Sequence, residues 1–174
     1  MTLIDPTGTR HYDRPLCPRS LGAEPRIGLV DGTLNKGSHW GQGMLDAAEA
    51  NLRTRLPGAV FGRVSLNPLD NPPPDLWAAS MATRHDALVV VGGDCVTCMS
   101  RGIRDAIWAE LAGLPSAVVC TAAVEEIVRQ VCDTYGMPAL HVFRVRESLF
   151  GQPREKIAEL VTPYIGGLAG ALTD

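Results

Sequence analysis

The stretch Ala87–Gly113, ALVVVGGDCVTCMSRGIRDAIWAELAG, decides the fold. Ala87–Val91 is a short Val-rich apolar run, as a parallel strand covered on both faces requires. Gly92-Gly93 lets the chain leave that strand sharply, and Asp94 is read as the N-cap of a following helix. Ile103, Ile107 and Leu111 recur every four residues, which gives the helix one face to pack on the sheet. Cys95 and Cys98 then fall in its first turn, where unpaired backbone N–H groups and the positive end of the helix dipole favour a thiolate. Thiols so placed have pKa values lowered from roughly 8.5 to between about 3.5 and 7.5.

Working outward, the same alternation repeats. Arg26–Asp31, Ala59–Ser65, Pro115–Thr121 and Ala139–Val145 read as further strands, and Met44–Leu56, Asp75–Arg84, Ala122–Tyr135 and Pro153–Leu172 as further helices. Val124, Ile127, Val128, Val131, Cys132 and Tyr135 form one apolar stripe, which places Cys132 in the core. Gly136 ends that helix, and Pro163 should kink or divide the last one. Strands alternating with helices, joined by right-handed crossovers, imply an α/β fold. The expectation is a single three-layer domain over 25–174, with a five-stranded parallel sheet in the flavodoxin-like order 2-1-3-4-5. Another Rossmann-like order is the alternative. Residues 1–24 show neither periodicity and are read as an extended N-terminal arm.

In that order the switch point lies between the first and third strands, so Thr33–Gly41 would face Gly92–Cys98. The polar loop read over Gly32–Gly43 offers Asn35, Lys36, Ser38 and Trp40 as substrate contacts and His39 as an acid or base. Gly93, Asp94, Thr97, Cys120 and Thr121 join them from the third and fourth strand ends. Bland readings stand beside these: Ser38 as a helix cap, His39 facing solvent, and Cys120 as a buried strand residue. Cys17, between Leu16 and Pro18, reads as an ordinary surface or packed thiol. Zinc at Cys95/Cys98 is a minority alternative, because a structural site needs four ligands and no second close cysteine pair exists. No other cofactor is implied.

The charge balance of −3 provides no basic field for nucleic acid or an anionic membrane. No apolar run approaches the ~20 residues of a membrane span, and no signal segment is read at the start, so the expected compartment is the cytoplasm. Five cysteines, an odd number, do not suit a disulfide framework. Only Lys36 and Lys156 are lysines among 16 basic residues, a bias that fits a GC-rich genome of the actinobacterial kind.

The run Asp86-Ala87 with Gly92-Gly93-Asp94-Cys95-Val96-Thr97-Cys98, the helix Ile103-Arg104-Asp105-Ala106, and Gly113-Leu114-Pro115 with Val119-Cys120-Thr121 together resemble the UGSC family of selenoproteins and their cysteine homologues. Leu3–Gly8 resembles that family's N-terminal segment, so the likeness covers nearly the whole chain. The family motif is selenocysteine-Gly-Ser-Cys after a Gly-x-x-Asp turn; this chain departs from it in carrying Val96-Thr97 for Gly-Ser. The resemblance implies that Cys95 is the attacking atom and Cys98 the resolving thiol. A looser likeness is to the B-type subunits of glycine and proline reductases. Three functions follow as expectations. The first is a thiol-dependent oxidoreductase acting on a small molecule, restored by an external thiol reductant. The second is a non-redox lyase or transferase of specialised metabolism with Cys95 as covalent nucleophile. The third is a non-catalytic ligand- or zinc-binding subunit. Neither nucleic acid nor membrane is expected as a partner, and a homo-oligomer or a partner subunit is left open.

Overall fold

Apolar, β-branched runs become strands wherever both faces can be covered. The computed structural model describes residues 14–33, 39–65 and 72–174. Its strands are β1 (Arg26–Asp31), β2 (Val60–Ser65), β3 (Ala87–Val91), β4 (Ser116–Thr121) and β5 (His141–Val145). All pair in parallel, in the order β2-β1-β3-β4-β5. This is the expected flavodoxin-like order. β3 and β4 are buried at every residue, whereas the edge strands β2 and β5 are mostly half-buried or exposed.

The helices are α1 (His39–Arg55), α2 (Pro74–Arg84), α3 (Val96–Leu111), α4 (Glu125–Thr134), α5 (Arg154–Val161) and α6 (Leu168–Thr173). The two-residue strand period splits the core into two layers. Leu29, Val89, Val91 and Val119 pack with α1, α5 and α6. Val30, Val90, Val118 and Cys120 pack on the other face with α2, α3 and α4. Among the described residues no helix is long and apolar enough to cross a membrane.

Several boundaries follow the sequence. Gly136 adopts φ 67° just past α4, and a 3₁₀ turn containing Pro163 (Thr162–Tyr164) separates α5 from α6. Two expectations are corrected. Helix α1 starts at His39 rather than Met44, so the polar stretch does not run as a loop to Gly43. Gly41 and Gly43 sit inside α1 because its neighbours leave no room for a Cβ. At Gly41 it would strike the Asp31 carboxylate, and at Gly43 it would lie 2.7 Å from both the Arg154 carbonyl and Ile157. Leu111 is 39% exposed. Each four-residue step overshoots a helical turn by about 40°, so the Ile103–Ile107 row has rotated off the sheet by Leu111.

A buried ion pair ties the segment before β1 to the domain. Arg19 Nη2 donates to Glu110 Oε1 at 2.7 Å, with side chains 4% and 0% exposed. Glu110 also accepts from the backbone N–H groups of Ser116 (2.7 Å) and Cys17 (2.9 Å), while Arg19 Nε donates to the Ala171 carbonyl at 3.0 Å. The Arg14 N–H donates to the Gly136 carbonyl at 2.6 Å. One carboxylate therefore joins α3, β4 and the preceding segment.

Candidate active site

The turn from β3 into α3 is built by close packing. A Cβ on Gly92 would run into the Met99 sulfur, and one on Gly93 would lie 2.8 Å from Trp40 Cε3. Met99 holds the turn from within the core and the Trp40 indole covers it from α1. Asp94 is not the helix cap expected from the sequence. Its carboxylate instead accepts the Thr121 hydroxyl, tying the turn to the end of β4. The cap is Cys95, with φ −86° and ψ 108°, whose Sγ accepts the Cys98 N–H at 3.3 Å.

Cys95 and Cys98 form a disulfide with their Cα atoms 5.3 Å apart. Cys95 is half-buried while Cys98 is 6% exposed, and the intervening Val96 and Thr97 point to solvent. Cys95 is thus the more open residue of the pair and Cys98 the screened one. On reduction, Cys95 Sγ would sit at the N-terminus of a 16-residue helix beside a backbone donor. Both features stabilise its thiolate.

The remaining cysteines have the opposite environment. Burial, reinforced by the Glu110 carboxylate, pushes the Cys17 thiol up to about 12. Burial pushes Cys120 to about 12 and Cys132 to about 11. Cys120 points into the α2–α4 core and is 0% exposed, so its expected place in the crevice is corrected: strand alternation turns it away, and only Thr121 reaches the turn. Alkylation of the folded, reduced protein near pH 7.5 should therefore label Cys95 first and Cys98 slowly. Cys17, Cys120 and Cys132 should label only after unfolding or as pH approaches their raised values. Peptide mapping of a timed iodoacetamide reaction checks this. Labelling of Cys120 at the rate of Cys95 would contradict the burial argument.

Trp40 is brought to the turn; His39 is not brought to the sulfurs. His39 is exposed at the head of α1, in a surface depression shared with Pro153, Arg154 and Glu155. Among the described residues no hydrogen bond joins it to Cys95 or Cys98. Asn35, Lys36 and Ser38 lie outside the described residues.

Two residues near the site escaped the sequence reading. Asp31, 1% exposed at the end of β1, accepts the Thr33 N–H (3.0 Å), the Thr33 hydroxyl and Gln42 Nε2 (3.3 Å), and so ties β1 to the first turns of α1. Its signal was a carboxylate closing the apolar run RIGLVD. Phe150, in the β5–α5 connection, is 72% exposed and stands 5.8 Å from Trp40 between ring centroids, at 59° between planes. Nothing local in the sequence marks that pairing. Among the described residues no three His, Cys, Asp or Glu side chains gather to hold a metal ion.

Fold and site together define a flavodoxin-like α/β protein with a Cys-x-x-Cys pair at its topological switch point. The UGSC family model matches residues 2–174, and the chain belongs to the UGSC family. No curated protein matches it in sequence. Among solved structures, the crystal structure of azoreductase AzrA is similar, with TM-score 0.50 and 9% identity over 83% of this chain and 98% of that one. At that identity the likeness is one of fold.

Proposed function

We propose that the protein is a thiol-dependent oxidoreductase that reduces a small molecule through Cys95 and Cys98. The observation that supports this most is the pairing of a more open, helix-capping Cys95 with a screened Cys98. The Cys95 position, where the family motif carries selenocysteine, supports a nucleophilic sulfur there. In the reduced enzyme, Cys95 thiolate attacks one sulfur of a small disulfide. The substrate S–S bond breaks, and the first thiolate leaves and takes a proton from solvent. Cys98, deprotonated to solvent, then attacks Cys95 Sγ, closes the internal disulfide and expels the second thiolate. The substrate gains two electrons and two protons, the enzyme dithiol is oxidised, and an external dithiol restores it by exchange. His39 is assigned no step. Such chemistry belongs where thiols are kept reduced, so the cytoplasm is the proposed compartment.

The test is anaerobic intact-protein mass spectrometry after alkylation, across a series of redox buffers. The expected result is a single two-proton loss mapping to Cys95–Cys98, titrating between about −120 and −270 mV. Cys98→Ser should then stop turnover after one event and accumulate a mixed disulfide on Cys95. Retained multiple turnover by Cys98→Ser, with no disulfide formed by the parent protein, would overturn the redox reading in favour of covalent catalysis by Cys95 alone.

A further inference from the structure

The rim of the turn that leads into Cys95 is aromatic, and this bears on the substrate. Gly93, two residues before Cys95, is bare of side chain, and the Trp40 indole lies against it. Phe150 leans on that indole from the β5–α5 connection, at 5.8 Å and 59°, yet leaves 72% of its own surface in water. Beside Cys95 on the helix, Val96 is 53% exposed. Two tilted rings form a corner whose open faces suit a third flat group, and Phe150 keeps most of its surface free to meet one. Two elements distant in sequence, α1 and the β5–α5 connection, thus bring a pair of rings to the turn that leads into Cys95. Asp94, half-buried between Gly93 and Cys95 with its carboxylate on the Thr121 hydroxyl, adds a carboxyl group to the same turn, which disfavours an anionic group beside the attacked bond.

We infer that the site takes a disulfide whose sulfur carries an uncharged or cationic aromatic group, packed against Trp40 and Phe150. This deepens the oxidoreductase reading and rests on it. The substrate class is set by the aromatic corner, and the attacked bond by its proximity to Cys95.

The experiment follows single-turnover oxidation of the fully reduced protein by two neutral probes, dithiodipyridine and bis(hydroxyethyl) disulfide. Each rate is divided by that of the same probe with free dithiothreitol, which removes the better leaving group of the aromatic probe. The corrected rate should favour dithiodipyridine, and Phe150→Ala should lower that preference about fivefold. Phe150→Tyr should restore it. Phe150 is on the surface, so these variants should fold, and circular dichroism verifies it. A corrected preference near one, or one unmoved by Phe150→Ala, would overturn the aromatic assignment while leaving the dithiol mechanism standing. Failure of both probes to oxidise Cys95 and Cys98 would overturn the mechanism and the assignment with it.

Discussion

Cys95→Ser is expected to lower the reduction of a small disulfide by on the order of 10³-fold or more, to the rate of the buffer thiol alone. The reason is chemical. A serine hydroxyl does not ionise near neutral pH, so the substitution removes the nucleophile while keeping nearly the same shape. It also keeps the local fold, because serine is itself a favoured N-cap and its oxygen can accept the Cys98 N–H that Cys95 Sγ accepts at 3.3 Å. The lost cross-link closes only a short loop, for which the chain-entropy argument gives about 2 kcal/mol at most. Loss of activity and loss of stability should therefore separate. Urea denaturation of the variant, beside its rate, checks this. An inactive but nearly wild-type fold is the expected pair of results; residual turnover within tenfold of the parent would show that Cys95 is not the attacking atom.

How much of this was legible in the sequence depends on the range of the interaction that decided each feature. β3 was readable to the residue, because Ala87–Val91 is an unbroken apolar run closed by two glycines. The division of the last helix was equally local, since proline at 163 lacks the N–H that a continuous helix needs. The start of α1 was not local. Gly41 and Gly43 look like loop residues until the Asp31 carboxylate, Arg154 and Ile157 are in place to require them. The cap of α3 is set at long range for a related reason: Asp94 is the better capping residue by type, but Thr121, 27 residues further on, engages its carboxylate. Within the site, the cysteine pair was visible from its spacing and its position after a buried strand. The Trp40–Phe150 corner was not, because it joins residues from opposite ends of the domain.

The same limit hid the interaction whose loss should cost the most stability. Glu110 sits on α3 at 0% side-chain exposure, and its partner Arg19 is 91 positions away, so no helical pattern announces the pair. Glu110→Gln is expected to destabilise the fold by about 3–5 kcal/mol, because the guanidinium remains buried without its counter-charge. In a chain of this length that corresponds to a fall of about 6–20 °C in Tm. The amide oxygen of glutamine can keep one of the two backbone N–H groups, from Ser116 and Cys17, that the carboxylate accepts together. A second readout separates this charge effect from a general loosening. The Glu110 carboxylate helps hold the Cys17 thiol up near 12, by its hydrogen bond and its charge. Glu110→Gln should therefore bring Cys17 alkylation to lower pH in the folded variant, while buried Cys120 and Cys132 keep their protection. Equal gains in labelling at all three cysteines would mean that the variant is merely opening. A stability change below about 1 kcal/mol would mean that the pair behaves as a solvent-exposed one and does not anchor the segment before β1.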